Sequence, residues 1–199
     1  MTYEEYYGDA YHILKQTEQK LLELIENYPG QEKLEEIQPI IYCKSRIKSP
    51  ESMKEKLRRQ GFAEDCNTAL EQMHDAIGIH IICSFMDDVY AVAEWLCCQD
   101  DFEVTDKKDY IAWPKPNGYR SLHLILRMKE KESRGIQAEI QIRTIAIDFW
   151  AALEHQIKYK HEVEHEKMMR EELKRCADEI ASVDMSMQTI RDFIREEAK

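Results

Sequence analysis

Two carboxylates are placed by their neighbours on the polar side of predicted β-strands. Glu139 stands between Ala138 and Ile140 in an alternating segment, and Asp75 comes just before the β-branched run that begins at Ile77. Because successive side chains of a strand point to opposite faces, Glu139 lies opposite the apolar residues. Two carboxylates a few ångströms apart are the minimal protein site for Mg²⁺, which completes its shell with water and phosphate oxygens. The pair therefore predicts metal-assisted phosphate chemistry.

Other polar residues of the same strands could line such a site. Gly78, His80 and Ser84 follow Asp75 on one strand, Ser121, His123 and Arg127 alternate with leucines on a second, and Gln141 and Arg143 accompany Glu139 on a third. A solvent-exposed sheet face also carries rows of long polar side chains. Two carboxylates, two histidines and an arginine on neighbouring strands favour a functional site over that alternative.

A segment of positive charge complements the carboxylates. Residues 44–59, which we call the basic segment, contain seven lysines and arginines against two glutamates, although the whole chain has a net charge of −11. Ser49, Pro50 and Glu51 are a typical helix start and Gly61 a typical helix end, so a short helix carrying most of these charges is predicted between them. A solvated helix face normally balances its acids and bases, whereas this excess favours a site for a compact anion such as a polyphosphate.

Length and composition restrict the class of protein. A chain of 199 residues can form one domain with its own core, with or without a helical appendage. The acidic balance argues against a duplex-DNA binder. No stretch is apolar enough for a membrane span, and the N-terminus has acids where a signal peptide has bases, so we expect a cytoplasmic protein. The six cysteines lack metal-binding spacing and are expected to be reduced packing residues.

The order of predicted elements indicates an α+β fold. Residues 3–28 have the apolar spacing of one amphipathic helix, which Pro29 and Gly30 end, and residues 89–98 again have helical spacing. Strands are predicted at residues 77–85, 102–105, 120–128 and 136–143, and residues 113–118 form a turn-rich loop. Helices before and after several strands favour a mixed sheet flanked by helices over a regular βαβ repeat.

The C-terminal region has the pattern of a packing helix. Apolar residues recur at alternating steps of four and three, and we call this set the seam: Met169, Leu173, Cys176, Ile180, Val183, Met187, Ile190 and Ile194. Charged residues fill most other positions, so the seam must be buried against the domain or against another subunit. The sequence leaves both arrangements open, and we expect a homo-oligomer.

Four strings, in this order, resemble the motifs of the RelA/SpoT synthetase family. They are RIKSPESMKEK at residues 46–56, DAIGIH at 75–80, DYIAWPKPNGYRSLH at 109–123 and EIQIRT at 139–144. The resemblance covers residues 40–160, which predicts an N-terminal helical region at 1–39, a synthetase domain at 40–160 and a helix for packing or oligomerisation at 161–199. With no hydrolase domain upstream and no regulatory domains downstream, the chain is similar to the small alarmone synthetases.

The resemblance implies a nucleotidyltransferase-like fold and a defined reaction. The β,γ-pyrophosphoryl group of ATP would be transferred to the 3′-hydroxyl of GDP or GTP, giving AMP and ppGpp or pppGpp. Mg²⁺ would be the cofactor, and a tetramer is a plausible assembly. The sequence does not separate GDP from GTP as the acceptor.

Carried over position by position, the resemblance also implies roles for single residues. Asp75 and Glu139 would hold Mg²⁺, and Glu139 could accept the proton of the 3′-hydroxyl. The ATP-binding residues would be Arg46 on the adenine and Lys48, Ser52, Lys56, Arg59 and Lys108 along the polyphosphate. The acceptor-binding residues would be Tyr119 stacked on guanine, with Lys115, Asn117 and His123 around it. We add Asp148, one turn into the next helix, as a candidate for the guanine N1–H and N2–H₂ edge.

His80 departs from the family pattern, which usually has an arginine here on the second side of the adenine. A neutral imidazole can stack but has no fixed positive charge, so we expect weaker ATP binding than in relatives with the arginine. An unperturbed imidazole titrates at about pH 6.5, which predicts an ATP affinity that improves as the pH falls toward about 6. A solvated histidine on a polar face is the alternative.

Three other functions fit parts of the sequence. His74 and Asp75 form the dipeptide of HD-type metal phosphohydrolases, but that fold is all-helical and here the dipeptide leads into a strand. A non-enzymatic scaffold assembled through the C-terminal helix would have no need of Asp75, Glu139, Lys56 and Tyr119 together. The third is the same transfer with an adenine nucleotide or a tRNA 3′ end as the acceptor, which the sequence does not distinguish from transfer to GDP or GTP.

Overall fold

The structure, a computed structural model, describes residues 1–29, 37–133, 135–160 and 166–197. The strands in these ranges are β1 (Ile40–Ile47), β2 (Ile77–Cys83), β3 (Phe102–Asp109), β4 (Leu122–Met128) and β5 (Gln137–Thr144). The helices are α1 (Tyr3–Tyr7), α2 (Ala10–Glu26), α3 (Pro50–Gln60), α4 (Cys66–Gln72), α5 (Met86–Cys97), α6 (Ile145–Lys160) and α7 (Glu166–Glu197). Among these helices none is long and apolar enough to cross a membrane.

The five strands form one mixed sheet in the order β1-β2-β5-β4-β3. Strands β2 and β5 are parallel, and the other three pairings are antiparallel. The parallel register places Gly78 beside Glu139 and His80 beside Gln141. The predicted α+β class with a mixed sheet is confirmed, and polar residues that are far apart in sequence become neighbours on the sheet.

The apolar side of the sheet forms the core together with two helices. Ile79, Ile140 and Leu124, from the adjacent strands β2, β5 and β4, are fully buried. They belong to one cluster with Leu21 of α2 and Leu96 of α5. Because strand side chains alternate, the polar residues between these positions face the other side of the sheet.

Helix α3 begins and ends where the basic segment predicts. The Ser49 hydroxyl accepts a hydrogen bond from the Ser52 amide at 3.3 Å, and Gly61 ends the helix with a φ of 78°. Met53 and Leu57 are fully buried, so another side of the helix is turned away from the core. The residues on that other side include Ser52, Lys56 and Arg59.

Several local predictions are wrong or incomplete. Residues 3–28 are not one helix, because Gly8, with a φ of 54°, separates α1 from α2. The short strand predicted at 102–105 continues to Asp109, and neither β1 nor α4 was expected. Strands β1 and β3 are the two edges of the sheet. Edge strands tolerate charged residues such as Lys44 and Lys107, which weakens the alternation that a sequence pattern depends on.

Helix α7 is fastened to the domain by ion pairs. Its Asp178 accepts from Arg120 at 2.9 Å, and its Arg191 lies 2.6 Å from Asp87. Arg120 also donates to the carbonyl of Gly118 at 3.1 Å. The helix therefore holds the end of the loop that carries the third motif.

The seam on α7 divides into two halves. Its first half, up to Ile180, is partly buried, whereas the second half is mostly exposed: Val183 is 58%, Met187 52%, Ile190 52% and Ile194 61% exposed. Over this second half the buried positions are Asp184 and Arg191 instead. Packing within the molecule therefore explains only the first half of the seam.

Gly118 and Gly135 allow a matched test of the contact between the loop and α7. Both have a φ of 88°, but an added Cβ would lie 2.6 Å from the Ala177 Cβ at Gly118 and would meet nothing within 4 Å at Gly135. Gly135→Ala should reduce the free energy of unfolding by about 1–2 kcal/mol through backbone strain alone. Gly118→Ala should reduce it by clearly more, because α7 must also shift. Urea unfolding of the two variants measures the difference, and equal losses would contradict the contact.

Candidate active site

Asp75 lies between α4 and β2, and two lysines reach its carboxylate. Lys48 Nζ is 2.8 Å from Oδ2, and Lys56 Nζ is 2.8 Å from Oδ1. The Asp75 side chain is 15% exposed. Burial acts to raise its pKa, but the two lysines outweigh burial and hold the pKa below its ordinary value. The basic segment thus folds back onto an ionised carboxylate, and we call these three residues the Asp75 cluster.

Glu139 lies in β5 on the polar side of the sheet. Its Oε1 is 3.0 Å from Nδ1 of His123 on β4. Burial acts to raise the pKa of Glu139 and the negative charge of Asp75 adds to this, yet the hydrogen bond and charge of His123 leave the pKa below its ordinary value. The two carboxylates therefore influence each other while both remain ionised.

A hydrogen-bond chain continues from Glu139 to Tyr119. His123 is buried, and its Nε2 lies 2.9 Å from the Tyr119 hydroxyl. Because an ionised carboxylate can only accept, Nδ1 of His123 is the donor to Glu139, and the Tyr119 hydroxyl also lies 3.3 Å from Oε1 of Gln141. The ammonium of Lys115 is 4.9 Å from the centre of the Tyr119 ring and 4.5 Å from that of Tyr110. The chain fixes the His123 ring, and a positive charge covers part of the Tyr119 ring.

A cavity of about 560 Å³, which we call the cationic cavity, opens beside the lysines of Asp75. Its polar lining includes residues from the end of β1 and from α3: Arg46, Lys48, Ser49, Ser52, Lys56 and Arg59. Four of these side chains are positive and two are hydroxyls. Such a lining suits a polyphosphate, which binds through charge-assisted hydrogen bonds.

A second cavity of about 440 Å³ shares Arg46 and His155 with the cationic cavity. We call it the sheet cavity, and its lining includes His80, Tyr119, Gln141, Arg143 and Asp148. Arg46 therefore lies at the junction of the two cavities. The residues predicted to hold an adenine and a guanine line the same cavity.

Asp148 lies in the first turn of α6, as the sequence predicts, but its carboxylate already has partners. The Tyr42 hydroxyl donates to Oδ2 at 2.7 Å, and Arg143 Nε is 3.4 Å from Oδ1. Lys44 Nζ is 4.0 Å from Oδ2. A guanine edge would have to share this carboxylate with the tyrosine and the arginine.

His80 accepts a hydrogen bond from an arginine of the neighbouring strand. Arg143 Nη2 is 3.0 Å from Nδ1 of His80. Burial, followed by the positive charges of Arg143 and Arg46, lowers the pKa of His80 to about 4. The predicted gain of ATP affinity toward pH 6 is wrong on this account, because the imidazole stays neutral there. The sequence could not reveal this, since Arg143 is brought beside His80 only by the β2–β5 pairing.

Six predicted residues line neither cavity, namely Asp75, Glu139, Lys108, Lys115, Asn117 and His123, and two of them have partners away from the carboxylates. Lys108, on the edge strand β3, is half exposed and pairs with Asp106 at 2.9 Å. Asn117 donates to Glu154 at 2.9 Å and accepts from the Tyr119 amide at 3.2 Å, so it shapes the loop before β4. Their contacts with nucleotides stay predictions.

Sequence reasoning missed two residues that contact predicted site residues, and it missed the partner of a third. Tyr42 was missed because β1 was not predicted, and Glu154 because nothing in its own segment indicates the contact with Asn117. Arg143 was placed on the correct face by alternation, but its partner His80 depends on strand register. Register between distant strands is a tertiary feature that a single sequence does not carry.

Asp75 and Glu139 suit a single divalent cation. Within the described ranges no group of three or more His, Cys, Asp and Glu side chains could hold a metal ion. The protein side of the site therefore consists of two carboxylates. Two carboxylates are enough for Mg²⁺ when phosphates and water supply its other ligands. The residues fit a cation that arrives with a polyphosphate.

Two ionised carboxylates and a cationic cavity on one side of a mixed sheet define an enzyme of phosphate-group transfer, because positioning and charge neutralisation are what that chemistry requires. Residues 45–164 match the sequence pattern described as a region found in RelA / SpoT proteins, and the chain belongs to this family. The resemblance carried by the four motifs is confirmed.

Relatives of known function cover most of the chain. It is 46% identical to the GTP pyrophosphokinase YwaC of Bacillus subtilis over 156 residues, which are 77% of this chain and 74% of the relative. It is 36% identical to the GTP pyrophosphokinase YjbM of the same organism over 161 residues, 79% of this chain and 75% of the relative. The crystal structure of small alarmone synthetase 1 from Bacillus subtilis, bound to its product pppGpp, matches with a TM-score of 0.80 at 32% identity, covering 92% of this chain and 94% of that chain.

The lowered pKa of Asp75 predicts a pH-dependent effect of Asp75→Asn on stability. The folded state binds this proton less readily than the unfolded state, so the contribution of the carboxylate is present above its ordinary pKa and is lost as the pH falls. Urea unfolding of metal-free protein should show Asp75→Asn destabilised at pH 7, by an amount that shrinks toward about pH 3. Glu103→Gln, on exposed edge strand β3, is the control. A pH-independent difference would contradict the assignment.

Proposed function

We propose that this chain is a GTP pyrophosphokinase, which transfers the β,γ-pyrophosphoryl group of ATP to the 3′-hydroxyl of GDP or GTP and releases AMP with ppGpp or pppGpp. The observation that carries the proposal is the Asp75 cluster beside Glu139 and the cationic cavity. The identities of the similar GTP pyrophosphokinases support it, as does the similar structure that holds pppGpp.

The donor polyphosphate is held in the cationic cavity. Lys48 and Lys56 neutralise Asp75 in the structure, and both also line this cavity. When a polyphosphate enters, the two lysines turn to its oxygens, because a triphosphate carries more negative charge than one carboxylate. Ser52 and Arg59 extend the contacts along α3.

Glu139 accepts the proton of the attacking hydroxyl. Its lowered pKa keeps it ionised at neutral pH, and the His123 ring donates to its Oε1 at 3.0 Å, which fixes the carboxylate on the polar side of the sheet. His123 is in turn oriented by the Tyr119 hydroxyl. A guanine stacked on the Tyr119 ring would place its ribose on the same side of the sheet as Glu139.

Asp75 and Glu139 are the residues that would hold Mg²⁺. The ion, when bound, neutralises charge that develops on the phosphate oxygens. Arg46 and Lys48, at the end of β1, line the cationic cavity and would add positive charge near the same phosphate oxygens.

Product analysis with Glu139→Gln tests the proposal. Purified protein is incubated with Mg²⁺, labelled ATP and, in turn, GDP, GTP, an adenine nucleotide or a tRNA 3′ end. Wild type should give labelled ppGpp or pppGpp with AMP, and Glu139→Gln should lower the rate by at least about 10²–10³-fold at a temperature where thermal unfolding shows that the variant is folded. Glu103→Gln should retain full activity. Transfer only to another acceptor, no transfer at all, or wild-type rates in Glu139→Gln would each contradict the proposal.

We also propose that the chain forms a homo-oligomer, plausibly a tetramer, through two adjoining helices. The second half of the seam on α7 is exposed, and α6 exposes a further apolar row that the sequence analysis did not identify: Ile145, Phe149, Leu153 and Ile157. Helices α6 and α7 pack against each other. Exposed apolar rows of this kind are typical of protein–protein interfaces.

Charge placed in the seam tests this assembly. The double variant Met187→Glu and Ile190→Glu should be monomeric, because two carboxylates would lose hydration at an apolar interface. Thr189→Glu adds one charge on another side of α7 and should leave the assembly unchanged. Light scattering at micromolar concentration measures the mass, and a monomeric wild type would contradict the proposal.

A further inference from the structure

Arg143 is buried at the edge of the sheet cavity and is tied to His80. Its side chain is 5% exposed, its Nη2 lies 3.0 Å from His80 Nδ1, and its Nε lies 3.4 Å from Asp148. A guanidinium carries only hydrogen-bond donors. The His80 nitrogen that faces it must therefore accept and carries no proton.

The proton of the neutral His80 ring is consequently on Nε2. Among the residues that the structure describes, the His80 ring makes one hydrogen bond, the one through Nδ1. The ring lines the sheet cavity together with Arg46 and Tyr119. Nε2–H is thus a donor that the protein leaves available to a ligand of this cavity.

We propose that Arg143 is a positioning residue that locks His80 as a neutral Nε2–H donor toward the bound nucleotide. His80 then recognises a hydrogen-bond acceptor on the purine, a ring nitrogen or a carbonyl, and does not act as a positive stacking plane. The proposal rests on the proposed function only in taking the ligand of the cavity to be a nucleotide.

The groups around His80 maintain this state across neutral pH. Arg46 and Lys44 are on β1, Arg143 and Glu139 on β5, and Asp148 on α6. Burial and the two arginines oppose a second proton on the ring, whereas the two carboxylates favour it, and the pKa remains at about 4. Because His80 stays neutral, nucleotide affinity should not change as the pH passes the ordinary imidazole pKa of about 6.5.

The tautomer can be measured without any nucleotide. Nitrogen-15 NMR of the histidine rings, with the His80 signal identified by its loss in His80→Gln, should show a proton on Nε2 and no titration between about pH 5.5 and 7.5. Arg143→Lys, which keeps a charged donor, should preserve this state. Arg143→Met should give a mixture of tautomers and a raised pKa. A wild-type ring protonated on Nδ1, or titrating in that range, would overturn the proposal.

Equilibrium binding of ATP and of GTP, with Mg²⁺, tests the donor itself. His80→Phe keeps a flat ring without the N–H and should weaken one of the two nucleotides by about two- to tenfold, the value of one hydrogen bond. His80→Gln, which keeps an N–H, should weaken it less, and Arg143→Met should weaken the same nucleotide. Thermal unfolding verifies that each variant is folded.

The binding experiment distinguishes failure of the donor role of His80 from failure of the proposed function. Wild-type affinity of His80→Phe for both nucleotides would overturn the donor role while leaving the proposed function intact. Failure of the wild type to bind either nucleotide would contradict the proposed function and the nucleotide as ligand, whereas the NMR result concerns the action of Arg143 on His80 in either case.

Discussion

The ion cluster of Asp75 with Lys48 and Lys56 is the interaction on which the arrangement of the site depends. A carboxylate that is largely removed from water remains ionised only if positive partners replace its hydration. Both oxygens of Asp75 have such a partner at 2.8 Å. The chain must therefore bring two lysines from separate elements to the start of β2, and much of the fold provides for this.

Three features of the fold meet that requirement. The antiparallel pairing of β1 with β2 brings the end of β1 beside the start of β2, and the Lys48 amide donates to the Ala76 carbonyl at 2.9 Å. Helix α3 starts directly after this point, and its buried Met53 and Leu57 fix the side on which Lys56 projects. The parallel neighbour β5 then places Glu139 beside Gly78, close enough for its carboxylate and that of Asp75 to influence each other.

The sequence predicted those parts of the site that depend on local pattern. The capping residues around α3, the alternation of β2, β4 and β5, and the polar face that carries Glu139 follow from neighbouring residues alone. The roles of Asp75 and the basic segment were suggested by charge and by motif. By contrast, the environment of His80 depends on Arg143, which lies 63 positions away and meets it through strand register. An ordinary histidine pKa was the natural assumption, and it was wrong because tertiary neighbours decide this quantity.

The edge strand β1 and the C-terminal helix α7 were also predicted incompletely from the sequence. Strand β1 places Lys44 and Arg46 on the polar side of the sheet, where both line the sheet cavity, so its sequence indicated a basic segment and not a strand. The seam on α7 was recognised, but only the structure separates the half that packs on the domain from the half that remains exposed. A heptad pattern identifies an apolar stripe without identifying its partner.

Asp75 is an ionised group whose charge is maintained by Lys48 and Lys56. Carbon-13 NMR titration of the aspartate side-chain carboxyls in metal-free protein measures this directly, with the Asp75 signal identified by its absence in Asp75→Asn. The account predicts a pKa below the ordinary aspartate value of about 3.9, and an upward shift in Lys56→Met that is absent in the neighbouring variant Lys54→Met. An Asp75 that titrates at or above the ordinary value, or that ignores the loss of Lys56, would contradict it.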